Sequence, residues 1–250
     1  MQRYFVQADN WNSELKEVFI TGDDVHHISR VMRYEKEDQI ICIHPDKTIA
    51  ICEITSIDQE RVVCSVLSIE KNQYELPVHA SIIQSLPKSD KLELITQKGT
   101  ELGASSFYLY QADRSIVKWN KQKANKRMIR LNKIIKEAAE QSYREIIPKL
   151  NEPANLIELI KVTENYTVKL VAYEEEAKKD TNENSFQEEL QKLEENDSVV
   201  VFIGPEGGFT DNEIKLLIEA GFKPVKLGNR ILRTETASLY ALSSISYQFE

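Results

Sequence analysis

Residues 199 to 237 constrain the fold of this chain more than any other stretch. The apolar run Val199-Val200-Val201-Phe202-Ile203 reads as a buried strand. It is followed by Gly204-Pro205-Glu206-Gly207-Gly208-Phe209-Thr210, a loop that must turn sharply. The pattern then predicts a helix over 211–220, opened by a capping box of Thr210 with Glu213. A second short strand is expected over 224–227, leading into Gly228-Asn229-Arg230-Ile231-Leu232-Arg233-Thr234-Glu235-Thr236-Ala237. Five of the chain's eight glycines fall here, at 204, 207, 208, 221 and 228. Glycine serves where φ must be positive or where a ligand approaches the main chain. Two strands, each ending in such a loop, describe a ligand crevice at the carboxyl edge of an open α/β sheet.

The rest of the chain divides at Leu76-Pro77. Residues 1–72 read as β-rich: short β-branched or aromatic runs at 3–6, 17–20 and 39–44, then a hairpin of 48–57 with 61–69. One helix interrupts them, capped by Thr21-Gly22-Asp23-Asp24 and running over 25–32. A small barrel with one short helix suits this pattern. Arg30 and Arg33, three apart, are expected on one helix face, where they either hold phosphates or are simply solvated. His26 and His27 are adjacent and make a poor metal pair.

From residue 73 onward strands alternate with helices. A strand over 78–84, a helix over 91–102 stopped by Gly103, and a strand over 105–110 form a β-α-β unit with parallel strands. A long helix over 125–143 carries the stripe Met128, Leu131, Ile135, Ala138 and Ser142, with Arg127, Arg130, Lys133 and Lys136 largely off it. A short helix over 155–162, a strand over 166–173, a polar loop over 178–184, a helix over 186–193 and a closing helix over 236–249 complete the reading.

Composition is that of an ordinary globular chain, with no apolar run near the ~20 residues that span a bilayer. The first residues lack the apolar core of a signal peptide, and the chain is read as cytoplasmic, with no membrane partner. Cys42, Cys52 and Cys64 are odd in number and lack C-x-x-C spacing, so reduced buried thiols are expected and no metal site. The net charge of −8 conceals a reversal. Residues 114–149 hold eleven Lys or Arg against three Glu, whereas 152–197 hold thirteen Asp or Glu against five Lys. This is either two solvated faces of opposite sign or a local field for an anionic partner.

The loops exclude several chemistries. There is no G-x-x-x-x-G-K-[ST], no G-x-G-x-x-G after a strand and no G-x-S-x-G. Glu206 in the middle of the glycine loop would repel phosphate, so the loop is either a tight turn or a cradle for a ligand without phosphates or with positive charge. S-adenosylmethionine, with its adenosine, zwitterionic amino acid and sulfonium, meets that description.

These residues resemble a known family. Ile203 to Thr210 and Leu227 to Ala237 are similar to the signature loops of the trefoil-knotted (SPOUT) methyltransferases, and more specifically of the 16S ribosomal RNA uridine-N3 methyltransferase (RsmE) family. Gln97-Lys-Gly-Thr-Glu-Leu-Gly103, Asp113-Arg-Ser115, Glu137-Ala-Ala-Glu-Gln-Ser-Tyr-Arg144 and His27-Ile-Ser-Arg-Val-Met-Arg33 extend the match over nearly the whole chain. Asp113, where a glutamate is expected, and an acidic insert-like region over 174–184 are departures.

The resemblance implies an α/β fold: a SPOUT-type trefoil-knotted parallel sheet with helices on both faces (73–250), preceded by a small β-barrel, PUA-like RNA-binding domain (1–72). It implies a homodimer, S-adenosyl-L-methionine as cofactor, and methylation of uridine N3 in 16S rRNA or the small ribosomal subunit. By motif, Gly204, Pro205, Gly207, Gly208, Leu227, Gly228, Ile231, Leu232, Thr236 and Ala237 are the cofactor candidates. Arg233 and Arg144 are the candidates to favour an anionic uracil, and Arg30, Arg33, Arg127 and Arg130 to hold RNA. Glu206 and Glu235 are possible general bases, neither singled out. Another RNA substrate, or a non-catalytic RNA-binding or assembly role, are the competing readings.

Overall fold

The structure is a computed structural model. It describes the chain apart from residues 15, 71–73, 89, 113–118, 120, 174–185 and 250. Asp113-Arg-Ser115 and the acidic 174–184 region therefore lie outside the described residues. Contacts divide the chain into two compact units: Met1–Glu75 with Ala139–Ile146, and Leu76–Ala138 with Ile147–Glu250.

The first unit is built on a curled six-stranded sheet in the order β1-β4-β5-β6-β3-β2. Its strands are β1 (Arg3–Phe5), β2 (Trp11–Asn12), β3 (Glu17–Thr21), β4 (Gln39–Ile43), β5 (Ile49–Ile57) and β6 (Arg61–Glu70). The expected hairpin is β5 with β6, antiparallel from Ile57 opposite Val62. Tyr4, Val18, Ile20, Ile40, Ile54 and Val62 fill the concave side together with Cys42, Cys52 and Cys64. The thiols are free and buried. Hydrogen bonding to Cys52 and Cys64, together with burial, holds the Cys42 thiol well above its ordinary pKa.

The helix of this unit differs from expectation. α1 (Asp23–His26) is capped by Gly22 at φ 71°, without a side-chain cap, and continues as a π-helical turn over His27–Val31. The turn ends before Arg33, which has φ 55°. A left-handed residue beyond the last turn cannot share a helix face with Arg30, so the expected pairing of the two arginines is corrected.

Residues 139–146 join this unit through buried charge. Arg144 is 2% exposed, and its guanidinium forks onto the Glu75 carboxylate at 2.6–3.0 Å. Glu75 also accepts the backbone N–H of Glu145 at 2.8 Å. Arg3 lies over the rings of Tyr143 and Tyr74, at 4.3 and 5.4 Å, and donates to the Tyr143 carbonyl at 2.8 Å.

The second unit is a six-stranded, wholly parallel sheet in the order β12-β10-β11-β7-β8-β9. The strands are β7 (His79–Ser85), β8 (Ser106–Tyr110), β9 (Lys149–Ala154), β10 (Val168–Ala172), β11 (Ser198–Ile203) and β12 (Lys223–Val225). β9 had no counterpart in the sequence reading. Lys149-Leu-Asn-Glu-Pro-Ala154 is polar and contains proline, which a sheet tolerates at its edge, and β9 is an edge strand.

β11 shows why an unbroken apolar run is needed. Val199, Val201 and Ile203 face a layer that includes α2 (Lys91–Glu101), α3 (Lys121–Gln141), α5 (Phe186–Leu190) and α7 (Thr234–Phe249). Val200 and Phe202 face α4 (Leu156–Val162) and α6 (Asp211–Glu219). Helices thus cover both faces, as parallel sheets require. From the edge strand β12 the chain returns along the carboxyl ends to start α7, which packs against α2 and against the central strands β7 and β11. The chain thus comes back from the edge of the sheet to its middle.

Phe202 is fully buried, and Tyr110, Phe209 and Phe222 meet its ring edge-on at centroid distances of 5.0–6.0 Å. Phe202→Ala is expected to lower stability by about 3–5 kcal/mol, read as a fall in the urea unfolding midpoint.

Candidate functional site

Both glycine loops leave the carboxyl edge of the parallel sheet. In the first, residues 204–210, two glycines have different jobs. A Cβ on Gly204 would stand 2.8 Å from the Phe209 ring, so glycine lets that ring tuck under the loop. A Cβ on Gly208 would meet nothing within 4 Å, but the residue has φ +69°, which side chains rarely adopt. The Gly208 N–H closes the turn on the Pro205 carbonyl at 2.9 Å. The expected capping box then starts α6: Thr210 N–H donates to Glu213 Oε2 at 2.6 Å, and Glu213 N–H to Thr210 Oγ1 at 3.2 Å. Glu213 is buried, and the Tyr110 hydroxyl donates to its other oxygen.

The second loop, residues 226–233, follows a strand that ends at Val225, two residues earlier than the sequence reading placed its end, and holds Gly228 at φ +115°. It is fastened beneath the first loop by a buried relay. Gln84 Nε2 donates to Thr234 Oγ1 at 2.8 Å and to the Ser85 carbonyl at 2.9 Å. Thr234 Oγ1 in turn donates to the Gly204 carbonyl at 2.9 Å. Ser238 Oγ donates to Gln84 Oε1. Gln84 and Ser238 are fully buried. Sequence reasoning passed over all three side chains. The signal available was a glutamine directly after Ile82-Ile83, near the end of a strand.

Between the loops lies a crevice of 670 Å³. Gly204, Pro205, Gly207 and Gly208 line it from one side, and Leu227, Gly228, Ile231, Leu232 and Ala237 from the other. Thr236 does not. It is exposed and faces a neighbouring cavity of 940 Å³ along α7. Charged groups at the crevice are Lys91, Glu206, Asp211, Arg230 and Arg233. Burial alone would raise the Glu206 carboxyl. Backbone hydrogen bonds, one from Lys88, and the Lys91 ammonium outweigh it and hold the pKa below its ordinary value. Lys91 is pushed up, chiefly by Glu235 and then by Glu206.

The arginines separate by burial. Arg233 is exposed at the crevice, free of the core. Arg144 belongs to the first unit, where Glu75 engages its guanidinium. Arg144, the second candidate to favour an anionic uracil, is thus held in a buried ion pair within that unit. Arg30 and Arg33 are exposed. Arg127 is half-buried over the Trp119 ring at 5.2 Å, and exposed Arg130 pairs with Glu93 at 2.7 Å. Among the described residues no cluster of three or more His, Cys, Asp or Glu can hold a metal, and no helix is long and apolar enough to cross a membrane.

A crevice walled by main chain and apolar side chains, with one carboxylate in the glycine loop, suits a neutral or cationic ligand of moderate size. Comparison with known proteins agrees with this frame. A family described as an RNA methyltransferase domain matches residues 74–246, and one described as an RNA methyltransferase PUA domain matches 20–67. Ribosomal RNA small subunit methyltransferase E of Bacillus subtilis is 45% identical over 100% of this chain and 98% of its own length. The protein of that name from Synechocystis is 32% identical, over 93% of this chain and 74% of its own. The crystal structure of a ribosomal RNA small subunit methyltransferase E from Neisseria gonorrhoeae, bound to S-adenosyl methionine, superposes with a TM-score of 0.84 at 26% identity, covering 99% of this chain and 97% of that one. The chain belongs to the ribosomal RNA small subunit methyltransferase E family of RNA methyltransferases.

Proposed function

We propose that the protein methylates N3 of a uridine in 16S ribosomal RNA of the small subunit, with S-adenosyl-L-methionine as methyl donor. The observation that carries this reading is the convergence of both glycine loops on one crevice. Its volume of 670 Å³ falls within the range of about 300–1,000 Å³ usual for small-ligand sites. The space above Gly208 is open, so its backbone is approachable. Glu206 disfavours a phosphate-bearing ligand and tolerates a sulfonium. The residues present fit the donor, which supplies a methyl group on positively charged sulfur.

The chain's own residues then do three things. The loop main chain and the apolar rim, Leu227, Ile231 and Leu232, hold the ligand and exclude water. Arg233 stands at the mouth, where its cation lowers the cost of the uracil anion that N3 must become. Positioning supplies much of the remaining acceleration. RNA is held by phosphate contacts from Arg30 and Arg33 of the first domain, taken as residues 1–72, and from Arg127 and Arg130 on α3, where Arg130 exchanges Glu93 for phosphate. Arg144 contributes through the segment it fixes. The protein works in the cytoplasm as a homodimer. The dimer forms along α7, where Tyr240, Tyr247 and Leu94 are exposed beside the 940 Å³ cavity.

The deciding experiment supplies the purified protein with labelled donor and either bulk RNA or small subunits, then maps the modified nucleotide. Label at one uridine N3 of 16S RNA is expected. Label on another RNA, or donor binding without transfer, overturns the substrate or the activity respectively. Gly208→Val, which forces a branched side chain into φ +69°, is expected to weaken donor binding at least tenfold by calorimetry while the fold persists. Arg30→Ala with Arg33→Ala is expected to leave donor affinity unaltered. It should lower the slope of log RNA affinity against log salt by roughly one per lost contact. Light scattering at micromolar concentration is expected to give twice the chain mass of 28.8 kDa.

A further inference from the structure

We infer that Lys91 is a positioning residue for the crevice: its ammonium clasps both ligand loops to the start of α2. Lys91 is the first residue of that helix. A cation there opposes the helix dipole, whose positive end lies at the amino terminus, so the position is unfavourable for lysine unless carboxylates offset it. Two do, one flanking each loop. Lys91 Nζ lies 3.4 Å from Glu206 Oε1, in the first glycine loop, and 3.0 Å from Glu235 Oε2, in the first turn of α7 just after the second loop. Glu206 Oε1 is also 3.4 Å from the Lys88 N–H, in the loop that precedes α2.

Glu235 Oε2 is shielded from solvent and has no aligned hydrogen-bond donor, so the Lys91 ammonium is what offsets its charge. One side chain therefore ties together three carboxyl-edge segments that are far apart in sequence. The relay of Gln84 and Thr234 joins the two loops from below; Lys91 joins them at the rim. Without it, Glu206 and Glu235 lose their shared cation, and Glu206 keeps the long contact from the Lys88 N–H. This assignment deepens the reading of the crevice as a methyl-donor site and rests on it for its consequence, not for the contact itself.

The test uses the full chain and two readouts. In the ligand-free protein, hydrogen exchange of amides 206–209 is followed for wild type, Lys91→Met and Lys91→Arg, with urea midpoints as a control on folding. Calorimetry then measures S-adenosylhomocysteine, which lacks the sulfonium charge, so that direct attraction of a cation does not enter. Lys91→Met is expected to speed exchange of those amides and to weaken the ligand about threefold, the scale of a partly exposed ion-pair network. Lys91→Arg should restore most of both. Lys91→Met combined with Glu206→Gln should be no worse than the weaker single variant, because both remove one contact. Unchanged exchange in Lys91→Met overturns the clasp. Losses that add in the double variant also overturn it, since Lys91 would then act independently of Glu206. Faster exchange in a protein whose wild type binds neither S-adenosylhomocysteine nor S-adenosylmethionine upholds the clasp and removes the donor-site reading instead.

Discussion

The carboxyl edge of the second unit depends on one hydroxyl. Thr234 Oγ1 receives the Gln84 amide from below and gives its own proton to the Gly204 carbonyl above. Each bond is ordinary in length, and in water each would contribute little. Gln84 is fully buried and Thr234 is 7% exposed, so no solvent stands ready to replace a lost partner. Removal of the hydroxyl would leave both the Gly204 carbonyl and a Gln84 N–H without it, at about 1–3 kcal/mol for each buried group left unsatisfied. The polarity of the relay matters as much as its strength. Because Gln84 donates, the hydroxyl proton is directed at Gly204, and the second loop is held in one orientation beneath the first. A chain returning past the edge of a sheet can do so in many ways; this relay selects one.

Charge is sorted around that frame by burial. Arg144 and Arg3 are each 2% exposed and belong to the first unit, where a forked carboxylate and two aromatic rings receive them. Breaking such a buried pair leaves a charge uncompensated, a cost of about 3–5 kcal/mol, so these arginines are tied to structure. Arg233, Arg30 and Arg33 are exposed, and a phosphate or a uracil anion can approach them without displacing a core contact. The same residue type therefore stands in two kinds of surroundings here, one committed to contacts and one open to them.

Much of this was legible from the order of residues. The run of 199–203 fixes a strand with no polar face, and Thr210 with Glu213 fixes where the following helix begins, because both patterns are local. The glycines at 208 and 228 mark turns with positive φ for the same reason. What was not legible is contact between distant segments. Gln84 and Thr234 are 150 residues apart, and neither has a neighbour in sequence that points to the other. The edge strand Lys149–Ala154 was hidden because its exposure permits Glu and Pro, which blur the strand pattern. The Arg30/Arg33 spacing misled because a helical offset was assumed to persist, whereas the helix widens into a π turn and then stops. For Arg144 the motif match marks an arginine that matters, and its pairing with Glu75 could not be read from the order of residues.

The acidic total then ceases to be an objection to an RNA substrate. At physiological ionic strength the screening length is about 8 Å, shorter than half the width of a domain. An approaching phosphate therefore responds to the nearest few side chains and not to the sum of −8. On α3, Lys126, Arg130 and Lys133 are exposed, and among the described residues Glu93 pairs with Arg130 and Glu137 lies 3.9 Å from Lys133. Such exposed pairs are weak and exchange readily, so they hold the helix surface in readiness without neutralising it. Phosphate contacts of this kind bring RNA to the protein but carry no register. On the proposed reading, register comes from the crevice, walled by main chain and apolar side chains and tied by Gln84 and Thr234. That reading assigns attraction to exposed cations and placement to the crevice, so the two tasks fall on different residues.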